Sequence, residues 1–259
     1  MDKITKLMAV VFMFSFVFMG SSASAQMNSE TPVFSYQPMS WNTFEASELI
    51  GVRVLGNGQI GNLVIDQTNG RIALVILSDV PGLAAEQVAV PYSSLQRTGE
   101  YTFELRDTNP YEGINDPRYG LTDPFWISQI YNDYGLVHYW IEKGKQPLEA
   151  TKTYEYFGFI GAEVQSREGE VTGKIDDLVI DSSDGRLVFL VLSDVPGRGD
   201  SLVAIPFGSL AKNDKNAFVL NIDKEKLATA PSFDEWTMDN RKYAGDVYRF
   251  FGFRPNWEE

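Results

Sequence analysis

Gly56-Asn57-Gly58-Gln59-Ile60-Gly61 spells G-x-G-x-x-G, a pattern that cradles a dinucleotide pyrophosphate when it opens a helix. The residues that follow, Leu63-Val64-Ile65, are a β-rich run, so no helix N-terminus meets a phosphate and the hexapeptide reads as a turn. No nicotinamide or flavin cofactor is expected. Asp176, Asp177, Asp181 and Asp184 could offer carboxylates to a hard cation. Yet Ser182 and Ser183 stand where an EF-hand concentrates ligands, and Asp176 and Asp177 in a strand face opposite ways. The set reads as a solvated hairpin, and no metal is expected. Arg198-Gly199-Asp200 spells an adhesion tripeptide, but a glycine-rich loop beside Pro196 generates it easily. His138, in an aromatic stretch, has no serine or cysteine signature beside it, and a general base needs a positioned partner. No catalytic residue is assigned, and the chain is not expected to be an enzyme.

What remains is a repeated loop. Ser78-Asp79-Val80-Pro81-Gly82 recurs whole as Ser193-Asp194-Val195-Pro196-Gly197, while the five residues after each block share nothing. Asp can cap a turn, Pro fixes φ, and Gly permits a positive φ, so turn chemistry alone accounts for these types. A functional reading makes the two loops equivalent contact points for a protein partner, with Ser78, Asp79, Pro81, Gly82, Ser193, Asp194, Pro196 and Gly197 as the contact residues and the aspartates as acceptors.

The loops sit within a longer duplication. Gly58 to Leu95 aligns without a gap on Gly173 to Leu210, at an offset of 115, with 19 of 38 positions identical. Upstream, Thr43-Phe44-Glu45 matches Thr153-Tyr154-Glu155. Downstream, Tyr131, Tyr134-Gly135 and Trp140 match Tyr248, Phe251-Gly252 and Trp257. Each copy is thus a core followed by an aromatic tail. Runs at Val52–Leu55, Gln59–Ile65, Ile72–Leu77, Val88–Val90 and Tyr101–Leu105 are β-rich and separated by turn residues. Ile72 to Leu77 and Leu187 to Leu192 are apolar throughout, so both faces of these strands must be covered, and the aromatic tail of the same repeat or the opposite barrel is the available apolar material. Small closed barrels are the economical way to remove edge strands from so short a β unit. The tails, including Phe125, Trp126, Tyr139, Tyr243, Phe250 and Phe253, read first as packing. Carbohydrate stacking is the alternative. Short helices ended by Gly135 and Gly252 are expected.

Composition bounds the compartment and partners. The chain is 44% hydrophobic with a net charge of −13, so it folds around a core and is repelled by phosphate backbones; no nucleic acid partner is expected. With Cys 0 and His 1, disulfides, thiolate nucleophiles and multi-histidine metal centres are excluded. Lys3 and Lys6, an uncharged run from Leu7 to Met19, and Ala23-Ser24-Ala25 make a secretory signal peptide with cleavage after Ala25. A periplasmic or secreted protein is expected, with no integral membrane segment after cleavage.

Gly161-Ala-Glu-Val, Gly173-Lys-Ile-Asp-Asp-Leu-Val-Ile-Asp181, the apolar strand, Val203-Ala-Ile-Pro206, Leu210, Asp223-Lys-Glu-Lys-Leu227 and Ala230-Pro-Ser-Phe233 together resemble the PRC-barrel domain. Copy one resembles it more loosely. The family is named for the cytoplasmic domain of the photosynthetic reaction centre H subunit and is similar to the C-terminal half of a ribosome-maturation factor; both bind other macromolecules. The resemblance implies a mainly β chain of two tandem small PRC-type barrels, each followed by a short aromatic-rich helical tail. The expected layout is a signal peptide at 1–25, an extension at 26–40, barrel one at 41–108, an aromatic connector at 109–149, barrel two at 150–233 and a second tail at 234–259. It carries no catalytic motif and points to a non-enzymatic adaptor or structural module of the bacterial cell envelope. The alternative is a periplasmic carbohydrate-binding protein or hydrolase that uses the aromatic tails and a carboxylate pair.

Overall fold

A computed structural model describes residues 43–82, 87–99, 101–106, 120–141, 152–212 and 217–255. The signal peptide and extension at 1–40, Trp257, and the connector residues 109–119 and 142–149 lie outside the described residues. In the first copy the elements are β1 (Thr43–Glu45), α1 (Ala46–Leu49), β2 (Arg53–Val54), β3 (Gln59–Asp66), β4 (Arg71–Ser78), β5 (Val88–Pro91), β6 (Leu95–Gly99), β7 (Thr102–Leu105) and α2 (Pro124–Asp133). The second has β8 (Thr153–Glu155), β9 (Glu163–Gln165), β10 (Val171–Asp181), β11 (Arg186–Ser193), β12 (Leu202–Pro206), β13 (Leu210–Lys212) and β14 (Phe218–Leu220). It ends with α3 (Lys224–Ala228), β15 (Ser232–Phe233), α4 (Glu235–Met238) and α5 (Arg241–Phe251). Among the described residues no helix is long and apolar enough to cross a membrane.

The chain is mainly β, but its strands do not close. All fifteen described strands belong to one mixed sheet whose main path runs from β13 to β6 without returning on itself. This corrects the expectation of small closed barrels. At the end of β5 and β12 the chain turns a corner instead of continuing the ladder: Pro91 and Pro206 have no N–H to donate and lead into single 3-10 turns at Tyr92–Ser94 and Phe207–Ser209. The Ser94 and Ser209 hydroxyls donate to the Pro91 and Pro206 carbonyls at 2.7 Å, holding both corners alike.

The two copies are joined by a reciprocal exchange that the sequence did not suggest. β1 of copy one pairs with β10 of copy two, Phe44 opposite Ile180, and β8 of copy two pairs with β3 of copy one, Tyr154 opposite Ile65. Between them Arg71 pairs with Arg186, its own equivalent; the Ile72 N–H donates to the Gly185 carbonyl and the Leu187 N–H to the Gly70 carbonyl, both at 2.9 Å. A residue that pairs with its own repeat must lie at a local two-fold axis. Each exchanged strand is held by the other copy's tail: the Thr43 hydroxyl donates to Asp239 at 2.7 Å, and the Thr153 hydroxyl to the Thr122 carbonyl.

The apolar strands are covered on both faces. Along β4, Ile72, Val75 and Leu77 enter the main core, whereas Ala73, Leu74 and Ile76 enter a second cluster with Trp126, Ile127, Ile130 and Tyr131 of α2. In copy two, α5 packs Ala244, Val247, Tyr248 and Phe251 into the main core with Phe189. Burying a large aliphatic side chain is worth about 1.5–3 kcal/mol, so each docked helix stabilises the strand beneath it substantially. Both strands carry a bulge at the same place: Ala73 and Val188 have no cross-strand partner. The Tyr131 and Tyr248 hydroxyls donate to the carbonyls of those two residues at 3.0 and 2.8 Å. Burial pushes both phenols well above their usual range, so both remain donors. α5 stops at Gly252, whose φ of 80° takes the left-handed cap, and Gly135 after α2 has φ 62°.

Candidate functional site

The repeated loops leave the ends of β4 and β11, the two strands next to the local two-fold. Val80 and Val195 are buried and anchor each loop, while Asp79, Pro81 and Gly82, and Asp194, Pro196 and Gly197, face solvent. Asp79 and Asp194 have φ of 54° and 55°, and they are the only non-glycine residues with positive φ among the described residues. A non-glycine residue in this region is strained by about 1 kcal/mol or more, although Asp tolerates it better than most. Asp79 accepts from Gln59 Nε2 at 2.7 Å, and Asp194 pairs with Lys174 Nζ at 2.8 Å. Gln59 and Lys174 are equivalent positions, so each aspartate is held by the first residues of the neighbouring long strand. The same crossing explains the glycine shared by both copies of the G-x-G-x-x-G segment: a Cβ at Gly58 would lie 2.1 Å from the Ser78 carbonyl oxygen, and one at Gly173 would lie 2.9 Å from that of Ser193. The hexapeptide leads into β3, a strand.

Each loop borders a surface depression. Beside the first, a cavity of about 300 Å³ is lined by Arg53, Leu55, Gln59, Asp79 and Pro81. Beside the second, one of about 350 Å³ is lined by Val171, Thr172, Val195, Pro196, Leu227 and Ala228, with Glu170, Lys224 and Glu225 at its edge. Sequence reasoning found the loops but missed these walls. The second brings the β9–β10 hairpin against α3 across about fifty residues of chain, as the Lys224–Glu170 ion pair at 2.7 Å records, and no local motif signals that approach.

The other candidate residues are occupied elsewhere. Asp177 is buried on a β10 bulge, where it accepts from the Ser47 and Leu178 N–H groups and the Tyr156 hydroxyl; Asp176 faces solvent. Burial raises the Asp177 carboxyl above its ordinary range, against the hydrogen bonds that lower it. Asp181 receives Ser183, and Asp184 binds Arg186. Among the described residues no group of three or more His, Asp or Glu is placed to hold a metal. Arg198 donates to the Ala228 carbonyl and the Ser232 hydroxyl, so the arginine of the adhesion-like tripeptide ties its loop to the end of α3 and the start of β15. His138 stacks on Trp140 with ring centroids 4.6 Å apart. Of the tail rings, Trp126, Tyr131, Tyr139, Trp140, Tyr248 and Phe251 are buried, whereas Phe125 is 62% exposed.

Residues 152–227 match the PRC-barrel domain. This chain therefore contains one. The matched stretch runs from β8, the strand given to copy one, into α3, and it includes the whole of the second loop and every lining residue of its depression except Ala228. No curated protein matches the chain. The second loop and the adjoining depression are exposed features of the matched stretch.

Proposed function

We propose that this protein is an exported, non-enzymatic tandem PRC-barrel module of the bacterial cell envelope, cleaved after Ala25, that binds a protein partner through its two repeated loops. Copy one, residues 41–108, is the second barrel-type unit of the pair, and the aromatic tails serve as helical braces. The carrying observation is the pair of aspartates held at positive φ, at equivalent positions, in solvent-facing loops that each border a depression. Strain retained at an exposed loop is a pointer to recognition, because glycine would relieve it. The local two-fold makes the two loops equivalent, but β4 and β11 run in opposite directions from the Arg71–Arg186 pair, so the loops stand at opposite ends and suit two copies of a repeating partner.

The test is capture from periplasmic extract by the wild type and by the double variant Asp79→Asn, Asp194→Asn. Asn also accepts left-handed backbone, so the fold should keep its stability while the charge is lost. Lost capture with unchanged melting supports loop recognition. Capture that persists, or a variant that melts early, assigns the loops to structure. Amino-terminal sequencing of the exported product should begin at Gln26; a product still starting at Met1 in the membrane refutes export with cleavage.

A further inference from the structure

The two loops have matching sequences but unlike surroundings. The first depression sets Arg53 and Gln59 beside Leu55 and Pro81; the second sets Glu170, Lys224 and Glu225 beside Val171, Val195, Leu227 and Ala228. Val171 is 49% exposed there, an apolar side chain left half in water at the mouth of an apolar cavity. The cavity, about 350 Å³, is at the lower end of the range used by small-ligand sites and has room for one large side chain. Its rim is unbalanced in charge. Lys224 is paired with Glu170, and the Glu170 hydrogen bond and charge, then Glu225 and Glu168, all raise the lysine's affinity for its proton. Glu170 and Glu225 line the hollow against Lys224, an excess of one negative charge, and Glu168 nearby is offset by Arg167, in a chain whose net charge is −13.

Resting on the loop-recognition reading and deepening it, we infer that the hollow between the second loop, the start of β10 and α3 is an anchor site for a protein segment presenting one large apolar side chain flanked by lysine or arginine. The apolar group would enter between Val171, Val195 and Leu227, and the basic flanks would meet Glu170 and Glu225. Burying the anchor supplies affinity, while the carboxylates select the flanks and speed encounter. The first depression has Arg53 on its wall and no glutamate in its lining, so the anchor with its acidic rim belongs to the second loop.

The probes are three capped tripeptides, Lys-Phe-Lys, Glu-Phe-Glu and Lys-Ala-Lys, titrated into the purified protein and followed by backbone and methyl NMR. Lys-Phe-Lys should give saturable shifts confined to Val171, Val195, Leu227 and their neighbours, with Kd on the order of 1 mM, as suits so small a ligand. The other two peptides should bind at least tenfold more weakly. Val171→Asp, at a half-exposed site, should abolish the shifts, and the conservative Glu225→Gln should weaken Lys-Phe-Lys binding and its salt dependence. The inference is overturned if Lys-Phe-Lys does not saturate, if either control peptide binds as well, or if both variants bind unchanged. Failure here with Asp79- and Asp194-dependent capture intact removes the anchor and leaves loop recognition standing; failure of that capture with these shifts intact removes the loops and leaves the hollow.

Discussion

Replacing Tyr248 by Phe removes one oxygen and leaves every apolar contact in place. That oxygen donates to the Val188 carbonyl at 2.8 Å in the interior, and Val188 has no cross-strand partner because β11 is bulged there. Deleting the donor strands a buried acceptor, which costs about 1–3 kcal/mol, more than the net worth of an ordinary hydrogen bond. For a domain of this size about 1 kcal/mol shifts Tm by roughly 2–4 °C, so a fall of about 2–12 °C is expected. Tyr131→Phe strands the Ala73 carbonyl in the same way and should cost a similar amount. Tyr243→Phe is the control: its hydroxyl donates to the Ser232 carbonyl at 2.8 Å at the exposed surface, where water replaces it, and the loss should stay within about 0.5 kcal/mol. Urea unfolding of the three variants, with m-values compared to exclude altered cooperativity, measures the differences. Tyr248→Phe as stable as Tyr243→Phe would refute the idea that the tail helices are latched to the sheet through its bulges.

Gly58→Ala should destabilise by more than 2 kcal/mol, since its Cβ would strike the Ser78 carbonyl at 2.1 Å, whereas Gly51→Ala, at a similar φ of 85° with open space around it, should cost only about 1 kcal/mol; chemical denaturation of the pair decides it, and equal losses would refute the close crossing. Because burial raises the Asp177 carboxyl, protonation favours the folded state: this contribution is present below the ordinary carboxylate range and is lost as pH rises through the raised value. The stability difference between wild type and Asp177→Asn should therefore change with pH across that window, and a flat difference from about pH 3 to 7 would contradict it. Deleting Met238 to Glu259 uncovers Phe189 and removes the Asp239 hold on Thr43, so it should lower the melting of the whole sheet; unchanged melting would make the tail an appendage.

The most legible elements in the sequence were those with strong local patterns. Ile72 to Leu77 and Leu187 to Leu192, apolar at every position, are strands β4 and β11 with both faces covered, and the Tyr248 and Tyr131 segments are helices. The missed features are long-range. β1 and β8 are three residues each, too short to show a period of two, and their exchange between copies depends on pairing across about 90 residues for β8 and more than 130 for β1. The bulges at Ala73 and Val188 also escape pattern reading, because every neighbour is apolar and no alternation exists to break. Closure was inferred from the need to remove edges, but exchange, corner turns and tail helices manage the edges instead. At the candidate site the repeated Asp-Val-Pro-Gly text was visible, and its positive φ was not. The hollow beside Pro196 needed α3 brought against Val171, a contact no spacing rule contains.

The most direct test of loop recognition is hydrogen exchange on the protein with and without its captured partner. Slowed exchange centred on residues 78–82 and 193–197, with the tail helices unchanged, is the predicted result. Protection confined to the tail helices, with both loops exchanging as in the free protein, would contradict it.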